Sequence, residues 1–154
     1  MKQLSEQEIL HLAASYASLT ERCIYDVRKK ITSMGASTET TERIIAHLLK
    51  EKFIDEARYC RSFVNDKFRF NRWGRIKISY ELRGKKIPET LIDEAVMTID
   101  EEEYASALFS LLKDKKRSIK GTTEQEIFAK LYRFALNRGF ESDLTIMQLK
   151  TINN

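Results

Sequence analysis

The sequence predicts an all-α fold built of tandem three-helix modules, and three observations predict it. One Pro and five Gly in 154 residues are too few for the turns of a many-stranded sandwich or barrel. Apolar residues, 42% of the chain, recur at helical spacing between residues that cap helices. The pattern of caps, stripes and turns then returns along the chain, as it does in repeat proteins. A unit of roughly 45 residues buries little surface alone, so neighbouring units are expected to share surfaces in an elongated, curved body.

Ser5 followed by Glu8 forms a capping box opening a first helix, with Ile9, Leu12, Ala13 and Tyr16 at helical spacing. Thr20 is expected to cap a second helix striped by Ile24, Val27 and Ile31, which Gly35 ends in a left-handed turn. A third follows Ser37 and Thr38, with Thr41, Ile44, Ile45, Leu48 and Leu49 inward. After Phe53 and Ile54, Asp55 caps a fourth that carries Tyr59, Phe63 and Val64.

Shifting the register by 51 residues repeats the set. Thr20 becomes Asn71, Val27 and Ile31 become Ile78 and Leu82, Ala36 becomes Ile87, Ser37 becomes Pro88, and Ile45 and Leu48 become Val96 and Ile99. At a shift of 45, Asp55, Tyr59 and Phe63 become Asp100, Tyr104 and Leu108. A third copy follows the polar joint Ser118-Ile119-Lys120-Gly121: Thr123 and Glu126 form a capping box, and a shift of 104 turns Val27, Ile31, Gly35 and Thr40 into Leu131, Ala135, Gly139 and Leu144. The division read from this is a lead-in helix over 1–19, modules over 20–70 and 71–117, and a third over 118–154 that ends before its last helix.

Cys23 and Cys60 are widely spaced and His11 and His47 are the only imidazoles, so no metal-ligand set is read, no cofactor is expected, and both cysteines are expected as reduced core residues. Gly74 and Gly84 are too isolated for a phosphate loop, and no nucleophile motif is present. The run Glu101-Glu102-Glu103 reads as the acidic first turn of a helix after Asp100. No catalytic residue is assigned. The start of the chain has no apolar signal core, and no apolar run reaches the ~18 residues that span a bilayer, so a soluble, cytoplasmic monomer is expected.

Charge is lopsided. From Arg58 to Lys86 there are ten Lys or Arg against Asp66 and Glu81, whereas the whole chain carries only +4. Segregation of this kind costs folding free energy through self-repulsion and suits a polyanion or an acidic surface. The candidate binding residues are therefore Arg58, Arg61, Lys67, Arg69, Arg72, Arg75, Lys77, Arg83, Lys85 and Lys86, with Trp73 added as an interface anchor or stacking platform. Packing of Trp73 on its own module is the competing reading. Phe68 and Phe70, alternating with Lys67 and Arg69, are open to the same two readings. Seven acids without a cation follow from Glu89 to Glu103, and alternation of this kind fits a partner of mixed charge better than naked DNA. Replacing Arg72, Arg75 and Lys77 together by Glu is expected to weaken association and leave helicity intact.

Three features resemble the RecX family, small bacterial regulators of the RecA recombinase. One is Phe53-Ile54-Asp55-Glu56-Ala57-Arg58-Tyr59-Cys60-Arg61-Ser62-Phe63-Val64; a second is Gly74-Arg75-Ile76-Lys77-Ile78-Ser79-Tyr80-Glu81-Leu82-Arg83 with Lys86-Ile87; the third is the triple arrangement itself. Two positions depart from the family pattern, Cys60 where Ala is usual and Lys86 where Gly commonly precedes the isoleucine. The resemblance implies an all-helical, curved protein that lies in the groove of the RecA filament on single-stranded DNA and restrains its recombinase, ATPase and co-protease activities in DNA repair and the SOS response. Two alternatives stay open: a helix-turn-helix DNA binder and a nonspecific single-strand binder. The acids Glu89, Asp93 and Glu94 on the helix after Ile87 argue against base readout in a major groove.

Overall fold

The computed structural model describes residues 3–120 and 123–153, and among them are nine α-helices and no strand. They are α1 (Glu6–Leu19), α2 (Ile24–Ser33), α3 (Thr38–Lys50), α4 (Glu56–Arg69), α5 (Arg75–Gly84), α6 (Glu89–Val96), α7 (Glu101–Ser118), α8 (Glu124–Asn137) and α9 (Ser142–Asn153). The Ser5–Glu8 box opens α1, with the Glu8 amide on Ser5 Oγ and the Ser5 amide on Glu8 Oε1, each at 3.1 Å. Ser37, Asp55, Asp100 and Thr123 accept the third amide of α3, α4, α7 and α8 in the same way. Gly121, the last residue of the expected joint, lies outside the described residues.

Two expected caps are corrected. Thr20 ends α1, and α2 begins after Cys23, which makes no side-chain cap. Asn71 likewise lies before the cap position, which Gly74 occupies, again without a side chain to offer. Helix N-termini leave amides that need acceptors, and these two find theirs on side chains of α4 and α7. The Ile24 amide donates to Glu56 Oε2 at 3.1 Å and the Arg75 amide to Tyr104 Oη at 3.0 Å.

The repeat is visible in the burial. Val27, Ile78 and Leu131 are buried, as are Ile31, Leu82 and Ala135, so the inward positions of α2, α5 and α8 coincide at shifts of 51 and 104. The turns after these helices also agree: Gly35, Lys86 and Gly139 all adopt left-handed φ, at 87°, 61° and 94°. Leu49, expected inward, is exposed instead, as is Leu12, which falls at helical spacing on α1.

Packing sets the phase of the repeat. Each of α1–α3, α4–α6 and α7–α9 is a set of three mutually packed helices. Counted from the second helix, as in the sequence reading, the third copy stops after α9; counted by packing, α7, α8 and α9 complete a third set. Two apolar cores result. One lies within the first set, around Ile9, Ala13, Val27, Ile31, Ile45, Leu48 and Ile54. The other runs without interruption through the second and third, from Ile78, Leu82 and Ile92 to Tyr104, Leu108, Leu131 and Phe140, and it takes in Cys23 from the first. Cys23 and Cys60 are both free and buried, and burial pushes both thiols up to about 11.

Candidate interaction surface

The cationic stretch spans α4, α5 and the loops around them, so its side chains leave two helices and two turns in several directions. Six of the ten cations meet a carboxylate. Arg58 pairs with Glu21 at 2.6 Å and reaches the carbonyls of Lys52 and Phe53, clamping the α3–α4 turn. Arg69 pairs with Glu103 at 2.9 Å and Arg72 with Asp114 at 3.2 Å, tying the end of α4 to α7. Arg83 holds Glu89 across the α5–α6 turn at 2.6 Å. Lys85 reaches Asp26 of α2 at 2.6 Å, a bond that keeps its ammonium charged more firmly than usual. The acids that follow the stretch in sequence thus partly neutralise it in space.

Arg75 is the most involved. Its guanidinium pairs with Glu101 at 2.7 Å and Glu141 at 3.0 Å, lies 3.9 Å from the centroid of the Tyr104 ring, and leaves 22% of its side chain exposed. Burial works against its charge, but the hydrogen bonds to Glu101 and Glu141 outweigh it. Tyr104 Oη donates to Glu141 and accepts the Arg75 amide, and burial followed by Glu141 pushes that phenol far above its ordinary range. Beside this network the Gly74 amide donates to the Arg138 carbonyl at 2.7 Å, the Ile76 amide to the Gly139 carbonyl at 3.0 Å, and Arg138 to the Asn71 carbonyl at 2.9 Å. A Cβ on Gly74 would stand 2.4 Å from the Gly139 carbonyl, and one on Gly139 would stand 2.3 Å from Lys77 Cβ. Two backbones touch here because both residues lack a side chain. The premise that Arg72, Arg75 and Lys77 are all exposed charges is therefore corrected for Arg75, which locks the second module to the third.

Among the described residues, four cations of the stretch have no carboxylate within 4 Å. Lys86 is exposed at the turn. Arg61 borders a hollow of about 200 Å³ with Ala57, Leu91, Glu94, Ala95 and Thr98. Lys67 and Lys77 converge on one ring, their Nζ atoms 4.9 and 4.5 Å from the Trp73 centroid. Trp73 is half-buried, packs on the core, meets Phe63 edge-on at 6.5 Å, and sends its amide to the Lys67 carbonyl at 3.0 Å. The two aromatic readings divide between Phe68 and Phe70. Phe68 is buried and stacked on Tyr104 with centroids 5.7 Å apart, while Phe70 is 80% exposed in the α4–α5 loop. Sequence reasoning assigned nothing to Glu56, Glu141 or the Gly74–Gly139 contact. The recurrence of Gly35 as Gly139 was the one available signal, and it pointed to a turn rather than to a junction.

No group of three or more His, Cys, Asp or Glu side chains among the described residues is arranged to hold a metal ion. No helix among them is long and apolar enough to cross a membrane.

Comparison with known proteins gives these modules a place. Residues 55–96 match the family model "RecX, second three-helix domain" and residues 101–145 match "RecX, third three-helix domain", spans that begin at the cap of α4 and at the first residue of α7. The regulatory protein RecX of Clostridium tetani is 37% identical over 123 residues, which are 79% of this chain and 55% of that protein. That of Prosthecochloris aestuarii is 31% identical over 148 residues, 96% of this chain and 95% of its own. The chain thus spans about half the length of some curated relatives it matches and nearly all of another. A crystal structure of regulatory protein RecX superposes with a TM-score of 0.82 at 25% identity, covering 93% of this chain and 72% of the other. That of RecX from Lactobacillus salivarius gives 0.88 at 18% identity over 96% of both, a likeness of fold. Two consecutive domain models matched in order, together with a relative similar along nearly its whole length, establish that this chain belongs to the RecX family of regulatory proteins.

Proposed function

We propose that this protein binds the filament of the RecA recombinase on single-stranded DNA and restrains its recombinase, ATPase and co-protease activities by occupancy, without turnover of its own. The observation that carries the reading is the pair of junctions at which each following module caps the second helix of the one before. Modules fixed in this way present successive surfaces at set intervals, which suits a partner that itself repeats, and a site engaged by one module raises the effective concentration of the next. Membership of a family of regulatory proteins supports a protein partner. Arg61 and Lys86, exposed cations of the stretch with no carboxylate within 4 Å among the described residues, supply the electrostatic part of the contact, and the acids between Glu89 and Glu103 match the mixed charge of a filament better than bare nucleic acid.

A protein that prefers one filament state shifts the population toward it. Added to recombinase assembled on single-stranded DNA, the chain is expected to lower ATP hydrolysis and strand exchange in a saturable, salt-sensitive manner. Titration against assembled filament and against the same bare strand tests this. Tighter binding to the filament with falling ATPase supports the proposal; equal affinity for both, with full recombinase activity at saturation, overturns it in favour of a nucleic-acid binder.

A further inference from the structure

The seam between the second and third modules gathers cations from three separate stretches of the chain. Arg72, in the α4–α5 loop, and Arg117, in the last turn of α7, share the carboxylate of Asp114 at 3.2 and 3.7 Å. Beside Asp114 on α7, Lys115 reaches the Phe134 ring of α8, its Nζ 4.9 Å from the centroid. Arg138, which caps the end of α8, lies 5.1 Å from the same centroid and donates to the Asn71 carbonyl at 2.9 Å, next to the Arg72 from which the contacts set out. The contacts close into a ring. Four cations stand around one carboxylate, and neither Lys115 nor Arg138 has a carboxylate within 4 Å among the described residues.

Local causes explain only part of this. Basic residues in the last turn of α7 offset its dipole, but the dipole does not bring Arg72 across from another loop or turn Arg138 back onto that loop. Acids are scarce here. Asp114 is the only one between Tyr104 and Lys120, and none occurs from Ile127 to Phe140. The acidic start of α7, Glu101 to Glu103, stands roughly 20 Å away along the helix, well beyond the ~8 Å over which surface charges act at physiological salt. Crowded cations repel one another, and an anion relieves the repulsion.

The surroundings select among anions. Neither α7 nor α8 contributes to the large exposed hydrophobics of the described residues, so a protein surface finds no apolar centre on them. Phe134 is half-buried against the core with two cations on its ring, so it has no open face on which an unpaired base could stack. Phosphate remains. Guanidinium forks match its geometry, and those of Arg72 and Arg138 are already held in place, which lowers the entropy lost on binding. A duplex carries one charge per ~1.7 Å of axis, about twice the density of one strand, and asks for no stacking.

We propose that this seam binds the phosphate backbone of double-stranded DNA irrespective of sequence, with Lys115, Arg117 and Arg138 meeting phosphates and Asp114 holding Arg72 beside them. It goes beyond the filament reading, in which the bound strand is single.

A labelled duplex of mixed sequence, titrated with the full-length chain by fluorescence anisotropy in a salt series and without recombinase, tests this. Saturable binding is expected, tighter than to either separated strand. Lys115→Gln with Arg117→Gln is expected to weaken it and to lower the slope of log affinity against log salt by about 1.8, the share of two duplex phosphates. Lys29→Gln with Lys50→Gln removes the same charge from exposed positions of the first module and is expected to leave the slope as in the parent. Circular dichroism melting confirms that both variants fold. Equal losses in the two double variants would reduce the effect to net charge and overturn the site, as would a single strand bound as tightly as the duplex. The two readings fail separately. Absence of duplex binding, with binding to assembled recombinase intact, removes the seam site and keeps the filament reading. Duplex binding lost in Lys115→Gln with Arg117→Gln, without binding to assembled recombinase, supports the seam site and removes the filament reading.

Discussion

The junction between the first and second modules and the junction between the second and third occupy equivalent places in the repeat, yet they are held together by different chemistry. At the first, the start of α2 is capped by the carboxylate of Glu56, and ion pairs run from Asp26 to Lys85 and from Glu21 to Arg58. Apart from Cys23, the buried cores on its two sides are separate. At the second, the start of α5 is capped by the Tyr104 phenol and by direct backbone bonds to the turn after α8, and one core passes through. Tyr104 stands between Phe68 and Phe140, with ring centroids 5.7 and 5.2 Å away. The same need, acceptors for a helix start that lacks its own cap, is met once by charge and once by close packing. Charge tolerates distance and water; packing does not. The comparison therefore assigns the first module independent mobility in unfolding and makes the second and third one cooperative unit.

The largest effects come from placing a charge in each core. Val27→Asp and Ile78→Asp replace fully buried aliphatics and are each expected to cost about 4 kcal/mol. Hydrogen exchange distinguishes them. Loss of protection confined to α1–α3 is expected for Val27→Asp, whereas Ile78→Asp releases α4 through α9 together; identical patterns would erase the distinction between the junctions.

Next is the backbone contact. Gly74→Ala sets a methyl 2.4 Å from the Gly139 carbonyl and is expected to cost about 3 kcal/mol in urea unfolding, since backbone must shift. The equivalent position in the first module already carries the side chain of Cys23, and Cys23→Gly is expected to cost about 1–2 kcal/mol, by lost burial alone. A smaller penalty for Gly74→Ala than for Cys23→Gly would mean that the second junction is no tighter than the first.

The two borrowed caps give a finer contrast. Tyr104→Phe strands the Arg75 amide and removes one of the two partners of Glu141, a loss expected near 2 kcal/mol. Glu56→Gln keeps an acceptor for the Ile24 amide and is expected to match or exceed the parent at neutral pH. Burial raises the Glu56 carboxyl above the ordinary value of 4.5, so its ionised form costs stability at neutral pH, and that cost fades as pH falls through the raised value toward 4.5. Melting of both proteins across this window should show any advantage of the Gln variant shrinking with acid; an advantage that grows with acid contradicts the assignment.

The smallest effect is at a turn. Lys86 holds the left-handed conformation that Gly35 and Gly139 hold in the other modules. Lys86→Gly is expected to stabilise by about 1 kcal/mol, because the left-handed region strains a residue with a Cβ. A loss in thermal denaturation would show that a contact of the lysine outweighs that strain.

The helices and their repeat were legible because they are encoded locally. Ser5 with Glu8 and Asp55 cap their helices through bonds that span three residues, and the stripes of Val27 with Ile31 and Ile78 with Leu82 follow from 3.6-residue geometry. The candidate surface was legible only as composition. Ten cations could be counted between Arg58 and Lys86, but which of them stay unpaired depends on acids as distant as Asp26, Asp114 and Glu141. Thr20 and Asn71 were read as caps because a local signal was sought where the acceptor was supplied by another module.

Sequence by itself thus determined the helical class, the repeat of about fifty residues, and membership of a known family, all properties carried by short-range spacing and by similarity of residues in order. Tertiary structure decided where one module ends and the next begins, that Gly74 and Gly139 must both be bare, that Arg75 is a lock rather than a free cation, and that Phe70 faces water while Phe68 does not. The reason is physical: a cap, a stripe or a turn is settled within one or two helical turns, whereas ion pairing and burial depend on what approaches from elsewhere in the chain, and no local pattern records that approach.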